Sequence, residues 1–480
     1  MVGIKSYGAY IPRYRMNHNT IFTAVGFLGA FPSAGENAVA NHDEDTLSMA
    51  VAAGIDCLGG MKREVVDGLY LATTSQPYMV RQNSTLVATA LDLQSNMRTA
   101  DFIGSTKSGT TALLSALDTV KGEMSSNILV CASDCRLSKP GSPQESLYGD
   151  GAASLLVGND DAIATFEGAY SVSYDFPDRW RASGEKFEHA WEDRFIRDSG
   201  YSRFVLEVIS GLLKKYNLNI KNFAKIAYPG LYAREHGAVA KQLGADPGQL
   251  QNTLLSTVGD TGSASPLMML VAALEDAKPG DKILVASFGN GGDALFFQVT
   301  EKIKNVADRR AVKKHLNSKK ELTSYEKYLA FRNLAPMDLG MRGEVSIRTP
   351  MSALFRERKV VLALCGSKCK KCGTPQYPYQ RVCVNPDCGA IDQMEDYRFS
   401  DKKGVIFTYT GDNLAASIDP PSIYGLVDFD GGGRYWFDFT DCDLDSVKVG
   451  MPVEMTFRRR YVDESSGVHG YSWKATPIRA

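Results

Sequence analysis

Four cysteines crowd into 20 positions near the end of the chain. Cys369 and Cys372 form a C-x2-C pair, and Cys383 and Cys388 a second pair with four residues between them. Two thiolates this close share one tight knuckle, and two knuckles supply the four sulfurs of a tetrahedral Zn²⁺ site. Gly373 and Gly389 each follow the second cysteine of a pair, where the backbone must turn sharply. Four sulfur ligands leave no open coordination position, so the expected zinc is structural and not catalytic. The other five cysteines are scattered. Cys131 reads as core, and Cys135, just beyond the same apolar run, as a thiol near a pocket mouth. This distribution in a large chain argues for metal binding over a disulfide framework.

The length and composition say what kind of scaffold holds these groups. At 480 residues the chain is too long for one ordinary core, so two or three domains are expected. Its 54 Lys plus Arg against 55 Asp plus Glu leave a formal charge of -1, which excludes a wholly basic, polyanion-coating surface. No apolar run approaches the ~20 residues of a membrane span. The opening MVGIKSYGAY reads as a strand without a charged leader, so a cytoplasmic location is expected.

Up to about residue 300, short β-rich runs alternate with helix-period stretches. Strands are expected near residues 4–11, 66–72, 127–133, 153–158, 169–174, 226–228, 282–288 and 294–299. Helices are expected near 46–58, 108–121, 201–216, 237–243 and 265–275. Such alternation predicts an α/β fold. NILVCASD, a turn and AASLLVG in the first half are echoed by DKILVASF, a glycine-rich turn and DALFFQV in the second. Two similar halves, 1–165 and 166–345, predict a duplicated, layered α/β/α/β/α sandwich. Residues 301–320, EKIKNVADRRAVKKHLNSKK, read as a solvated connecting helix, with a phosphate-binding patch as the alternative. A linker and zinc ribbon over 346–397 then precede strands and turns over 398–480 that predict a small OB-type β-barrel.

Four segments carry a resemblance, and they occur in order along the chain: VGIKSYGAYIPRYRM, TSQPYMVRQNSTLVATAL, DFPDRWRASGEKFEHAWEDRF and KPGDKILVASFGNGG. Through them the first 345 residues resemble the 3-hydroxy-3-methylglutaryl-CoA synthase branch of the thiolase superfamily. The tail from about 350 resembles the zinc-ribbon plus OB-fold module that accompanies thiolase-like partners, usually as a separate subunit. The resemblance implies a coenzyme A thioester as substrate and a homodimer formed through a face that includes residues 84–91. It leaves room for a further thiolase-like or acyl-CoA-metabolising partner. Nucleic acid is not expected at the barrel. Tyr409, Tyr424, Tyr435 and Trp436 offer stacking surfaces, but Asp428, Asp430, Asp438, Asp441, Asp443 and Asp445 repel phosphates. Arg458, Arg459 and Arg460 are expected to meet the phosphates of CoA instead.

At the family's catalytic positions this chain departs. The resemblance places the nucleophilic cysteine at Thr106 in GSTKSGTTALL and the glutamate base at Thr74 in ATTSQPY. It places the histidine within one residue of Tyr228 in IAYPGLY, and the asparagine at Asp260 in VGDTGSAS. None of the four residue types is kept. A cysteine at a helix N-terminus ionises near neutral pH, whereas a threonine hydroxyl needs an adjacent strong base. Acyl transfer through Thr106 is therefore not expected. Aldol addition or retro-aldol cleavage beside a CoA thioester needs only a base, an acid and an oxyanion site. Tyr228 is expected to exchange the proton, and Asp260 to act as base or to orient it. Thr106 and Thr74 line the site. Backbone N–H groups at the start of the Ser108 helix and in the turn Gly289, Asn290, Gly291 and Gly292 form the oxyanion hole. That turn lacks GxGxxG spacing and a following helix, so it is not read as a dinucleotide site. His189 and His236 are alternative bases. Two other readings stay open: an acyltransferase with a displaced nucleophile, and a non-catalytic acyl-CoA-binding scaffold for a true thiolase.

Overall fold

One pattern is built twice. The first copy runs β1 (Gly3–Tyr10), α1 (Thr46–Leu58), β2 (Gly68–Ala72), α2 (Asn83–Ala90), β3 (Arg98–Phe102), α3 (Ser108–Lys121), β4 (Asn127–Asp134) and β5 (Gly151–Gly158). The second runs β6 (Ala164–Ser173), α4 (Ser202–Lys215), β7 (Lys225–Ala227), α5 (Ala233–Leu243), α6 (Ser265–Asp276), β8 (Lys282–Ala286) and β9 (Gly291–Val299). The computed structural model describes residues 1–28, 34–306, 308–338 and 349–479. These strands form one nine-stranded sheet in the order β7-β8-β9-β6-β1-β5-β4-β2-β3. Read outward from β1 and from β6, the two halves have the same strand order. The third strand of the second half is reduced to a bridge between Ile226 and Leu250. Directions repeat as well: β2 with β4 and β7 with β8 are parallel, while β4 with β5 and β8 with β9 are antiparallel. Among the described residues, the two halves of the sheet pair where Gly3 and Ile4 meet Thr165 and Ala164.

Helices α3 and α6 fill the space between the halves. Every residue from Ser265 to Leu274 is buried, and a helix apolar on all sides belongs in a core. Leu113 and Leu117 of α3 share one cluster with Leu267 and Leu270 of α6, Val130 of β4 and Val285 of β8. Only glycine permits the closest approach: a Cβ on Gly109 would lie 2.1 Å from the Ser263 carbonyl oxygen. On the outer faces, α1 and α2 pack on β2 and β4, and α4 and α5 on β8 and β9. The expected α/β/α/β/α layering results. Helix α1 shows its local logic plainly. Asp45 accepts from the Leu47 and Ser48 N–H groups at one end, and Gly59 adopts φ 40 at the other. The edge strand β3, RTADF, was not anticipated, because a partly exposed edge carries no apolar run.

The C-terminal part begins with a three-stranded sheet of β10 (Cys365–Cys369), β11 (Pro375–Gln376) and β12 (Met394–Arg398). A barrel follows: β13 (Lys403–Asp412), β14 (Ser422–Phe429), β15 (Arg434–Asp438), β16 (Pro452–Asp463) and β17 (Val468–Pro477). Its order is β15-β14-β13-β16-β17, and a parallel bridge from Phe439 to Ala475 closes it in OB fashion.

The barrel is fused to the first half by a common core. Leu47, Val51 and Leu86 belong to one apolar cluster with Phe399, Phe457 and Trp473. Beside it, the Arg458 guanidinium lies 3.1 Å from Asp43, 2.8 Å from Glu44 and 2.6 Å from Asp441. Arg459 donates to the His42 carbonyl at 2.9 Å. Arg458 and Arg459 therefore stitch the barrel to the loop before α1 and do not meet CoA phosphates. Asp441 is buried in the same network and is no part of an acidic surface. The basic run is corrected too. Its helix, α7 (Ala311–Asn317), buries Ala311, Val312 and His315 and is not solvated all round. Among the described residues, no helix is long and apolar enough to cross a membrane.

Candidate active site and metal centre

The turn before α3 stands at the floor of a cleft of about 670 Å³, lined by Thr74, Thr106, Asp178, Arg179, Arg181 and Asn290 among others. Beneath it lies a recess of about 10 Å³ that shares Thr106, Asp178 and Arg179 with the cleft and adds Pro229, Asp260 and Phe288. That inner volume is room for about one water molecule.

Thr106 lines both the cleft and the recess. Its hydroxyl donates to the Phe288 carbonyl at 2.7 Å. Gly289 packs directly against it: a Cβ there would lie 2.4 Å from Thr106 Oγ1, on a backbone with φ +152. Thr74 lines the outer cleft. Its N–H donates to Asp134 at 2.7 Å, and its hydroxyl is buried without a partner. Asp134, at the end of β4, also accepts from the hydroxyls of Thr73 and Ser75 at 2.9 and 2.7 Å and from the Ser263 N–H at 2.7 Å. One buried carboxylate thus ties the loops of both halves together under the site.

Asp260 lies 2.8 Å from Arg136 and 3.3 Å from Arg179. Burial alone would raise its pKa, but the two guanidinium groups outweigh burial and hold the carboxyl below its ordinary value. An acid held this firmly ionised is a weak base. Its evident work is to fix Arg179, which also lies over the Tyr148 ring, 5.2 Å from the centroid.

Tyr228 is not at the site. It is fully buried in the core of the second half, stacks on His236 with ring centroids 4.1 Å apart, and donates its hydroxyl to the His236 carbonyl at 2.8 Å. The pocket position belongs to its neighbour Pro229, which carries no proton to exchange. A one-residue shift at the end of a strand reverses the side chain's face.

The glycine turn also departs from expectation. Asn290 alone of the four lines the cleft, donating its side-chain amide to the Phe176 carbonyl at 3.0 Å. Gly291 and Gly292 open β9 and pair with Ser173 and Val172. The Gly289 N–H donates to the Gly291 carbonyl at 3.1 Å, and the Ser108 N–H to the Ser105 carbonyl at 3.0 Å. The Gly289 and Ser108 amides are thus engaged within the fold and are not free to serve in the expected oxyanion hole. His189 pairs with Glu185 at 3.0 Å on the exposed rim. Cys135 receives a hydrogen bond from Arg332 at 2.9 Å, yet burial pushes its thiol up to about 12, so it is not a reactive thiolate.

Two residues in the cleft went unread in the sequence: Asp178 and Arg179. Asp178 is 5% exposed and lines both cleft and recess. Burial raises its pKa despite the opposing pull of Arg179. Arg179 reaches Asp260 through one nitrogen and faces the same two spaces. The available signal was an adjacent acid and base framed by Pro177 and Trp180 in DFPDRW.

The cysteine cluster assembles as its spacing implied. Sγ atoms of Cys369 and Cys388 are 3.8 Å apart, those of Cys372 and Cys383 3.5 Å, and all four lie within 4.8 Å of one another. A tetrahedron with Zn–S of about 2.3 Å has sulfurs about 3.8 Å apart, well beyond the ~2 Å of a disulfide. The set is compatible with a structural zinc.

A duplicated layered body, with a buried helix opening at the foot of a cleft between its halves, defines a thiolase-like enzyme. Residues 213–295 match the family described as 3-oxoacyl-[acyl-carrier-protein (ACP)] synthase III C terminal, and residues 397–458 match the ChsH2, C-terminal OB-fold domain. The chain is 30% identical over 336 residues to the hydroxymethylglutaryl-CoA synthase of Methanopyrus kandleri, covering 68% of this chain and 96% of that protein. It is 33% identical over 319 residues to that of Methanococcoides burtonii, covering 64% and 91%. A solved HMG-CoA synthase complexed with CoA shares the fold at a TM-score of 0.63 and 20% identity, over 73% of this chain and 94% of that one. The chain belongs to the hydroxymethylglutaryl-CoA synthase family and carries an OB-fold at its C-terminal end.

Proposed function

We propose that this chain makes or breaks a carbon–carbon bond beside the thioester of an acyl-CoA, without a covalent acyl-enzyme. The observation that carries the reading is the juxtaposition in one cleft of Asp178, a buried acid with a raised pKa, and Arg179, a guanidinium held in place by Asp260. In the cleavage direction Asp178 takes the β-hydroxyl proton. The Cα–Cβ bond then breaks to give a carbonyl product and a thioester enolate whose oxygen faces Arg179. The proton returns from Asp178 to Cα. Addition is the same sequence reversed. The Thr106 hydroxyl, bonded to the Phe288 carbonyl and without a neighbouring base, packs the floor and does not attack. Cationic Arg181 and Lys186 on the cleft wall suit the phosphates of CoA. The four cysteines would hold zinc as a fixed cross-link for the ribbon. The chain would work as a homodimer through the face carrying residues 84–91, with a further thiolase-like protein as partner.

The test is incubation with β-hydroxyacyl-CoA thioesters, following product release and intact mass together. Turnover with no acyl adduct supports the reading. A stable mass increase mapped to any side chain, or no binding of any CoA ester, overturns it.

A further inference from the structure

A second cavity lies at the seam between the thiolase-like body and the barrel, and we propose that it binds a phosphorylated, hydroxyl-bearing small molecule. Its volume is about 560 Å³, within the ~300–1,000 Å³ typical of small-molecule sites. It shares no lining residue with the cleft. Three parts of the chain build it: α1 through Asp56 and Gly59, the basic segment through Arg309 and His315, and the barrel through Lys403 and Thr476. It exists because body and barrel are packed together in one chain.

Six cationic side chains line it against four carboxylates. Most of these are already matched. Arg310 makes a bidentate pair with Glu454 at 2.7 and 3.1 Å, and Arg458 and Arg479 each lie 2.6 Å from Asp441. Arg309 and Lys403 have no ion-pair partner among the described residues. Arg309 donates weakly to the Gly59 carbonyl and the Ser6 hydroxyl, both at 3.3 Å, and its Nε is buried without a partner. Two further polar side chains in the wall are nearly closed off and incomplete. Thr476 is 5% exposed with an unpartnered hydroxyl, and His315 is 2% exposed with an unpartnered Nδ1. Buried polar groups are ordinarily satisfied, and these three incomplete side chains all belong to the wall of one cavity. Burial, together with nearby Arg479 and Arg310, keeps His315 neutral. A neutral ring nitrogen and a threonine hydroxyl suit a ligand hydroxyl. Unmatched Arg309 and Lys403 suit phosphate oxygens.

Calorimetric titration of the full chain with ADP and with inorganic pyrophosphate tests this, with Arg181→Glu, a charge reversal in the cleft alone, as the control for binding there. The expected result is binding of either probe at sub-millimolar concentration, weakened at least tenfold by Lys403→Glu. Lys403 is exposed, so its reversal leaves the core intact. Thr476→Val is expected to weaken ADP more than pyrophosphate, which distinguishes a nucleotide from a bare phosphate as the source of the anion. No binding of either probe, binding lost in Arg181→Glu, or binding unchanged in Lys403→Glu overturns the proposal. None of these outcomes bears on turnover in the cleft.

Discussion

Asp178 and Arg179 are adjacent in the chain and opposite in state: burial raises the acid's pKa, while Asp260 holds the guanidinium in position. Asp178→Asn keeps shape and removes the proton acceptor, so turnover should fall by ~100-fold or more. Acyl-CoA affinity should stay within a few-fold, which steady-state kinetics beside equilibrium binding would separate. Because Asp178 must be ionised to accept a proton and its pKa is raised, the rate should fall with acid at a pH above the ordinary ~3.9 of an aspartate. An acid limb at or below the ordinary ~3.9 in wild type would leave Asp178 without this role. The cluster of four cysteines was legible here because ligand spacing is a local property. Tyr228 was not, because a register shift of one residue exchanges a core position for a pocket position, and of these two neighbours Pro229 is the one that faces the recess.

The seam elements carry the next predictions. Arg458, on β16, faces Asp43, Glu44 and Asp441, all nearly inaccessible. Arg458→Met leaves buried Glu44 without a cation and Asp43 and Asp441 with one each, Lys474 and Arg479, so stability should fall by about 3–5 kcal/mol in urea denaturation. Burial would raise the pKa of Asp441, but Arg458 and Arg479 lower it to about 2. A depressed folded-state pKa gives stability that is fully present above the unfolded value near 4 and is lost as pH falls from about 4 towards 2. Acid unfolding of wild type should therefore steepen in that window, and Asp441→Asn should flatten it. In the ribbon, metal analysis is expected to find one zinc per chain. Cys383→Ser or a chelator should lower that content and melt the segment between β10 and β12 before the rest. The strand order of the barrel was readable only as a run of strands and turns. Its closure through Phe439 and Ala475 joins residues far apart in sequence, beyond the reach of any local pattern.

At the scale of the whole molecule, the body and the barrel are one folding unit. Leu47 and Leu86 share a core with Phe457 and Trp473, so a chain ending at residue 338 would leave that apolar face open. Such a truncation should be insoluble or melt well below the full chain in a thermal scan. An independently stable, fully active fragment would show that the seam is mere contact. The sequence by itself determined the alternation of strands and helices, the echo of one half in the other and the cysteine knuckles. Each follows from periodicity, composition or short spacing, which act within a few turns of chain. Tertiary structure alone decided which charged groups meet. It set Asp260 between two arginines, drew Arg458 into the seam, brought Asp178 over the recess and left Arg309 and Lys403 unmatched. The strength and sign of an electrostatic interaction depend on distance and burial, and both are settled only when remote segments pack.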